Sequence, residues 1–368
     1  MSNGKMTATG LGLLILVGCS GGEKGPTGAR PSLPDAAVNA VVGEQLLADI
    51  TTLASDEFLG RGPGTAGEDR TVAFLEDQFR AIGLTPGNPD GSWVQKVPLV
   101  GITPDPSAAL VVRKGSQSRT LRFKDDVVAW TKHVAPSASI NQAELVFVGY
   151  GVEAPEYGWD DYKGLDVAGK TLVMLVNDPP VPDSNNPAVL DSATFGGKAM
   201  TYYGRWTYKY EQGMKHGAAA VLIVHETGPA GYPFAVVQGK TAEQFDLVTP
   251  DKNINRSAIE GWITLEQAKA VFQMAGQDFE EQKARAASRD FRPVPLGVTA
   301  SMTIRNTLRT VDSRNVVAKL AGSDPSLADQ YLVYTGHWDH FGIGDKVGQD
   351  MTGGTIYVGG KVQDFGVD

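Results

Sequence analysis

The six residues Ala219-Ala220-Val221-Leu222-Ile223-Val224 contain no polar side chain. A strand with one wet face alternates apolar and polar residues. A run that is apolar throughout reads as a strand covered on both faces, the habit of parallel sheets flanked by helices. Leu145-Val146-Phe147-Val148 and Thr171-Leu172-Val173-Met174-Leu175-Val176 have the same character. Between the 171–176 and 219–224 runs, Trp206, Tyr210 and Met214 recur at a spacing of four, which marks one face of a helix. Thr264-Leu265-Glu266-Gln267 is a capping-box pattern and opens a helix through Ala268, Val271, Phe272 and Ala275. Strands alternating with helices predict a compact α/β unit over residues 140–275, with the polar, Pro-containing 277–300 as a return linker.

Working outward toward the N-terminus, Ala40, Val41, Leu46, Leu47, Ile50 and Leu53 form an apolar stripe that predicts a helix over 37–56. A second helix opens at Glu68, runs through Val72, Leu75, Phe79 and Ile82, and ends at Gly83. Between them lies Leu59-Gly60-Arg61-Gly62-Pro63-Gly64-Thr65-Ala66-Gly67, too rich in Gly and Pro for helix or strand. No buried strand precedes this loop and no Gly-Lys-Ser/Thr closes it, so a phosphate cradle fails and a surface turn is the favoured reading.

Toward the C-terminus, Asn315-Val316-Val317-Ala318-Lys319-Leu320 and Tyr331-Leu332-Val333-Tyr334 read as two strands, joined through the turn Gly322-Ser323-Asp324-Pro325. Gly336-His337-Trp338-Asp339-His340 follows directly. Ligands of open α/β sheets bind beyond the carboxyl ends of the strands, which is where His337 falls. A histidine that binds zinc through one ring nitrogen needs an acceptor on the other, and Asp339 is placed to supply it. From spacing alone, a surface hydrogen-bonded His-Asp pair is the favoured reading. His340 adds a second imidazole, but a zinc site needs a third protein ligand that local spacing does not assign. His133, His216 and His225 stand alone and read as structural or solvent-facing.

The chain of 368 residues is long enough for two to three domains of roughly 150 residues each. Its 42% hydrophobic and 20% charged residues exclude a disordered or collagen-like chain. The net charge of -9 and the lack of a Lys/Arg run count against a nucleic-acid partner. Past the N-terminus, no apolar run reaches the roughly 18 residues of a membrane helix.

The first nineteen residues read as an export signal. Lys5 supplies the positive start, and Leu11-Gly12-Leu13-Leu14-Ile15-Leu16-Val17 is an apolar stretch too short to span a bilayer. Leu16-Val17-Gly18-Cys19 resembles the lipobox of bacterial lipoproteins, in which the cysteine is acylated and becomes the new N-terminus. Cys19, the sole cysteine, is therefore the expected lipidation site, with residues 20–36 as a flexible tether. The expected location is an exported, membrane-anchored lipoprotein of the outer membrane or cell surface. An ordinary cleaved signal, giving a secreted or periplasmic protein, is the alternative.

Taken in order, Leu53 to Thr65, Gly91-Ser92-Trp93-Val94-Gln95-Lys96-Val97-Pro98-Leu99, Arg314-Asn315-Val316-Val317-Ala318, Gly322 to Pro325 and Gly336 to Gly342 resemble the co-catalytic zinc aminopeptidase family. That family includes secreted bacterial aminopeptidases, glutamate carboxypeptidase II and the transferrin receptor. Val148-Gly149-Tyr150-Gly151, Gly169-Lys170-Thr171 and Gly217 to Ile223 are similar to the protease-associated domain inserted in many members.

The resemblance implies an α/β peptidase sheet domain interrupted by an inserted α/β domain. The parts would be a signal at 1–19, a tether at 20–36, an N-terminal part of the peptidase domain at 37–135, a protease-associated domain with its return linker at 136–300, and an incomplete start of the peptidase core at 301–368. It also implies dizinc hydrolysis of peptide bonds in a peptide or protein substrate, with His337 as the first zinc ligand and Asp339 as its supporting carboxylate. Two zinc ions and a Glu general base complete the family's chemistry.

The pattern then departs. Val362 and Gln363 stand where the bridging Asp and its Asn are expected, with Asp364 two residues off, and residues 338–368 contain no Glu, no Cys and no His besides His340. The expectation is a truncated chain, inactive as written. The alternative is a non-catalytic lipoprotein that binds peptides or proteins through its protease-associated domain.

Overall fold

A computed structural model describes residues 40–105, 107–238 and 243–343. They divide into two units, one ending at Ala54 and the other starting at Ser55. In the first, helix α1 (Gly43–Leu53) has no side-chain cap at Val42 and buries none of its residues, so Leu46, Leu47 and Ile50 stay exposed.

In the second unit the strands are, in chain order, β1 (Thr85–Pro86), β2 (Val94–Pro104), β3 (Ala109–Lys114), β4 (Gln117–Arg122), β5 (Val127–Trp130), β6 (Ser137–Phe147) and β7 (Glu153–Ala154). They continue with β8 (Trp159–Asp160), β9 (Thr171–Leu175), β10 (Ala220–His225), β11 (Gln244–Leu247), β12 (Ile259–Thr264), β13 (Val294–Val316) and β14 (Ala318–Lys319). The helices are α2 (Ala66–Ala81), α3 (Trp206–Lys215), α4 (Thr227–Ala230), α5 (Phe234–Gln238), α6 (Leu265–Ala275) and α7 (Phe279–Ala286).

The fold is α/β on a ten-stranded mixed sheet, ordered β11-β2-β13-β6-β9-β10-β12-β5, with β3 and β4 attached beside β13. Its centre is parallel, β6, β9, β10 and β12 lying side by side, and β5 closes that edge antiparallel to β12. The apolar runs explain this centre. Alternate residues of β10 enter opposite cores, Leu222 and Val224 on one face and Val221 and Ile223 on the other. On the first face, Val271 and Phe272 of α6 and Phe279 of α7 complete the core; on the second, Tyr210 of α3 does. Thr264 caps α6 as its sequence requires, Oγ1 accepting from the Gln267 N–H at 3.3 Å.

Two expectations for the C-terminal half fail. Residues 294–300 are no linker but the start of β13, whose Leu296, Val298, Ala300, Met302 and Ile304 alternate into the core. Residues 279–286 within the same stretch form α7. Conversely, Tyr331-Leu332-Val333-Tyr334 forms no strand, and these four side chains are 70–87% exposed. Of 315–320, residues 315–316 finish β13 and 318–319 form β14, which pairs with β1.

Candidate functional site

The glycine loop ahead of α2 is more than a surface turn. Leu59, Gly60 and Arg61 all have left-handed φ, at 49°, 62° and 50°. Left-handed backbone costs an L-residue roughly 1–2 kcal/mol, so the two non-Gly residues on either side of Gly60 need compensation from their surroundings. Phe58 is buried in an edge contact with Phe74 of α2, their ring centres 5.9 Å apart, and fixes one end of the loop. At the other end Thr65 donates to the Gly62 carbonyl at 2.7 Å and caps α2 by accepting from Gly67 N–H at 3.1 Å.

Glu68, in the first turn of α2, is fully buried. Its carboxylate accepts from Gly64 N–H at 2.5 Å and from Arg314 Nε at 3.1 Å, tying the loop to β13. Arg314 also pairs with Asp69. Its carbonyl accepts the Trp338 indole N–H at 2.8 Å. The neighbouring cleft, about 350 Å³ and lined by Gly64, Thr65, Glu68, Arg309 and Arg314 among others, holds cations already matched. Arg309 makes a two-point contact with Glu243, at 2.6 and 2.8 Å.

Residues 338–342 lie against the loop in three hydrogen bonds, one from a side chain and two between backbones. Arg61 Nε donates to the Trp338 carbonyl at 3.0 Å, His340 N–H donates to the Arg61 carbonyl at 3.1 Å, and Gly342 N–H donates to the Gly60 carbonyl at 2.8 Å. The approach is close enough to require glycine: a Cβ on Gly60 would lie 2.3 Å from the Gly342 oxygen.

His337 precedes this docked stretch. Its Nδ1 lies 2.9 Å from the Asp339 main-chain oxygen and 3.2 Å from Asp339 Oδ1. The main-chain oxygen and the carboxylate accept, so in the neutral imidazole Nδ1 carries the proton and Nε2 the lone pair. Among the described residues nothing pairs with Nε2, and the side chain is 75% exposed. His337 thus stands at a loop anchored on the glycine turn, not at the end of a strand. The imidazole can accept a proton or bind a Lewis acid through Nε2.

These residues do not fit a complete zinc centre. Among the described residues no three His, Cys, Asp or Glu side chains converge as a metal-binding group. His340 is turned to the loop through its N–H and tilts over Phe341. Cys19, Val362, Gln363 and Asp364 lie outside the described residues. The other histidines serve the fold: His133 Nε2 pairs with the Arg256 carbonyl at 2.8 Å, His216 stacks on Tyr162, and His225 is buried among Tyr232, Phe234 and Trp262. Burial lowers the pKa of His225.

A second buried polar group lies beyond β6 and β9. Lys209 Nζ, wholly enclosed, donates to the carbonyls of Tyr150, Asn177 and Tyr203 at 2.6, 3.1 and 2.8 Å. Asp161 accepts from Val152 N–H at 2.9 Å and from the Trp159 indole at 2.8 Å.

Sequence reasoning did not reach Arg61, Glu68 or Arg314 as site residues. Their partners lie as many as 277 positions away, and local spacing carries no trace of them. The one available signal was the Arg set among glycines at 60–62.

No protein-family model matches the chain, and no curated protein matches it either. Solved structures similar to it include an aminopeptidase from Aneurinibacillus sp. strain AM-1, at 19% identity and a TM-score of 0.34, over 75% of this chain and 50% of that one. Another is BSAP, a zinc aminopeptidase from Bacillus subtilis, at 14% identity and a TM-score of 0.27, over 73% of this chain and 45% of that one. The chain spans about half the length of these structures.

Proposed function

We propose that this chain is part of a metallopeptidase of the zinc aminopeptidase type, exported and held at a membrane through a lipid on Cys19. The observation that supports it is the His337–Asp339 pair, in which Asp339 accepts a hydrogen bond from Nδ1–H and leaves Nε2 without a partner among the described residues. A carboxylate-supported imidazole is what a zinc ligand of this chemistry requires. In a complete site zinc would supply an activated water and polarise the scissile carbonyl of a peptide. The described residues offer His337 alone toward such a site, so no catalytic step is assigned to them.

The test pairs zinc content by mass spectrometry with hydrolysis of an aminoacyl nitroanilide. The 368-residue chain should hold well under one zinc per molecule and show no zinc-dependent turnover, for want of about two further ligands and a general base. Near-stoichiometric zinc in the 368-residue chain, with turnover abolished by His337→Ala, would overturn the ligand assignment. Asp345, Asp350 and Asp364 would then be the first places to look.

A second reading is a non-catalytic lipoprotein that binds peptides or proteins through residues 136–300. The observation in its favour is that the parallel centre of the sheet and both its cores are built without residues 331–343. Peptide binding that survives deletion of residues 331–368 would favour it.

A further inference from the structure

We infer that Arg61 is a positioning residue for the His337–Asp339 pair, and that the left-handed turn at 59–61 exists to let one residue hold both peptide groups that flank Asp339. The inference rests on His337 being the group that does the chemistry, as proposed above.

The two acceptors on His337 Nδ1 both belong to Asp339, its main-chain oxygen and its carboxylate. The aim of the imidazole is therefore set by the backbone conformation of residue 339. Two peptide groups define that conformation. The one before Asp339 ends in the Trp338 carbonyl, which Arg61 Nε holds at 3.0 Å; the one after it begins with His340 N–H, which the Arg61 carbonyl holds at 3.1 Å. A single residue grips both. Its side chain and its carbonyl face the same stretch because Arg61 sits at φ 50°. Without that grip, an exposed His-x-Asp segment would turn freely, since His337 and Asp339 are 75% and 50% exposed. Gly60 admits the docked backbone, and the Trp338 indole on the Arg314 carbonyl fixes its near end. Strained non-glycine backbone is retained where the surroundings over-determine it, often at functional sites.

The test reads the tautomer of His337 directly, by two-bond ¹H–¹⁵N correlation of the full chain at about pH 8.5, where an ordinary histidine is neutral. His337→Ala assigns the signal. The parent should show the Nδ1–H form. Arg61→Leu keeps the stem and removes the donor, and should shift the ratio toward Nε2–H by roughly fivefold to tenfold, the worth of one hydrogen bond. Arg61→Lys, which keeps a donor on a similar stem, should restore the parent ratio. Arg61→Gly separates positioning from stability: glycine suits the left-handed turn, so the melting temperature should hold or rise while the tautomer ratio still shifts. An unchanged ratio in Arg61→Leu overturns the inference, as does equal behaviour of Arg61→Leu and Arg61→Lys. Zinc takes no part in this measurement, so a failure to bind zinc counts against the proposed function and leaves the positioning role standing.

Discussion

Glu68 and Arg314 stand 246 positions apart and meet as an ion pair, Arg314 Nε donating to a carboxylate that is fully buried. Removing the cation leaves the buried carboxylate on the Gly64 N–H without its counter-charge. Arg314→Met should cost about 3 kcal/mol, the low end for a broken buried pair, because Arg314 itself is 30% exposed. Replacing both, as Glu68→Leu with Arg314→Met, should recover much of the loss. Urea denaturation of the two singles and the double checks this; additive losses would show that the pair does not act as a unit.

The core makes a sharper contrast. Phe147 is fully buried and makes edge contacts with Phe272 and Phe291, ring centres 5.1 and 5.6 Å away. Phe147→Ala should destabilise by about 3–5 kcal/mol. Leu332 is 79% exposed, so Leu332→Ala should stay within about 0.5 kcal/mol. The apolar run at 331–334 reads as a buried strand in sequence, and a large loss at Leu332 would restore that reading.

Stability should depend on pH through the buried pair beside β9. Burial raises the Asp161 carboxyl to about 7, against its hydrogen bonds from Val152 and Trp159, and lowers Lys209 to about 7, against Asp161 and Asp178. Folding takes up a proton at Asp161 between its ordinary 3.8 and about 7, so that contribution fades as pH rises through this window. Folding releases a proton at Lys209 between about 7 and its ordinary 10.5, so its contribution fades as pH falls through that window. The two arms place a minimum of their joint contribution near neutrality. Asp161→Asn should flatten the acid arm of urea midpoints measured against pH; an acid arm unchanged in that variant would assign it to other groups.

Cys19→Ala should leave unprocessed or soluble protein in place of a membrane-bound form. Two or three acyl chains on one residue meet the requirement for lasting anchorage. Mass spectrometry of the membrane fraction decides it, and an unchanged mass and distribution would remove the lipid anchor from the proposal.

The parallel centre of the sheet was legible because burial on both faces leaves every position of 172–175 and 220–224 apolar, a pattern local in sequence. β13 was missed although its first half alternates, Leu296, Val298, Ala300, Met302 and Ile304, because the residues between are Pro, Gly, Thr and Ser, which read as loop. The run at 331–334 failed for the opposite reason: apolar composition argues for a strand but supplies no partner. At the candidate site, the His337–Asp339 contact spans two residues and was visible. The grip of Arg61 on Trp338 and His340 depends on three successive left-handed residues, and composition does not report φ for Leu59 or Arg61.

β13 also acts as a ruler. Its first half runs antiparallel to β6, from Val294 opposite Phe147 to Arg305 opposite Ser137, and its second half runs antiparallel to β2, from Asn306 opposite Pro104 to Val316 opposite Val94. Side chains alternate with a period of two, so a one-residue slip in the first half would turn Leu296, Val298 and Ile304 outward. The same slip would displace Arg314 from Glu68 at the far end. An inserted or deleted residue within the continuously paired 302–316 would be felt in both halves of β13. The two register irregularities, between Pro295 and Thr299 and between Ala300 and Met302, are the points along the pairing with β6 where the spacing already gives, and so where one more residue would disturb the alternation least.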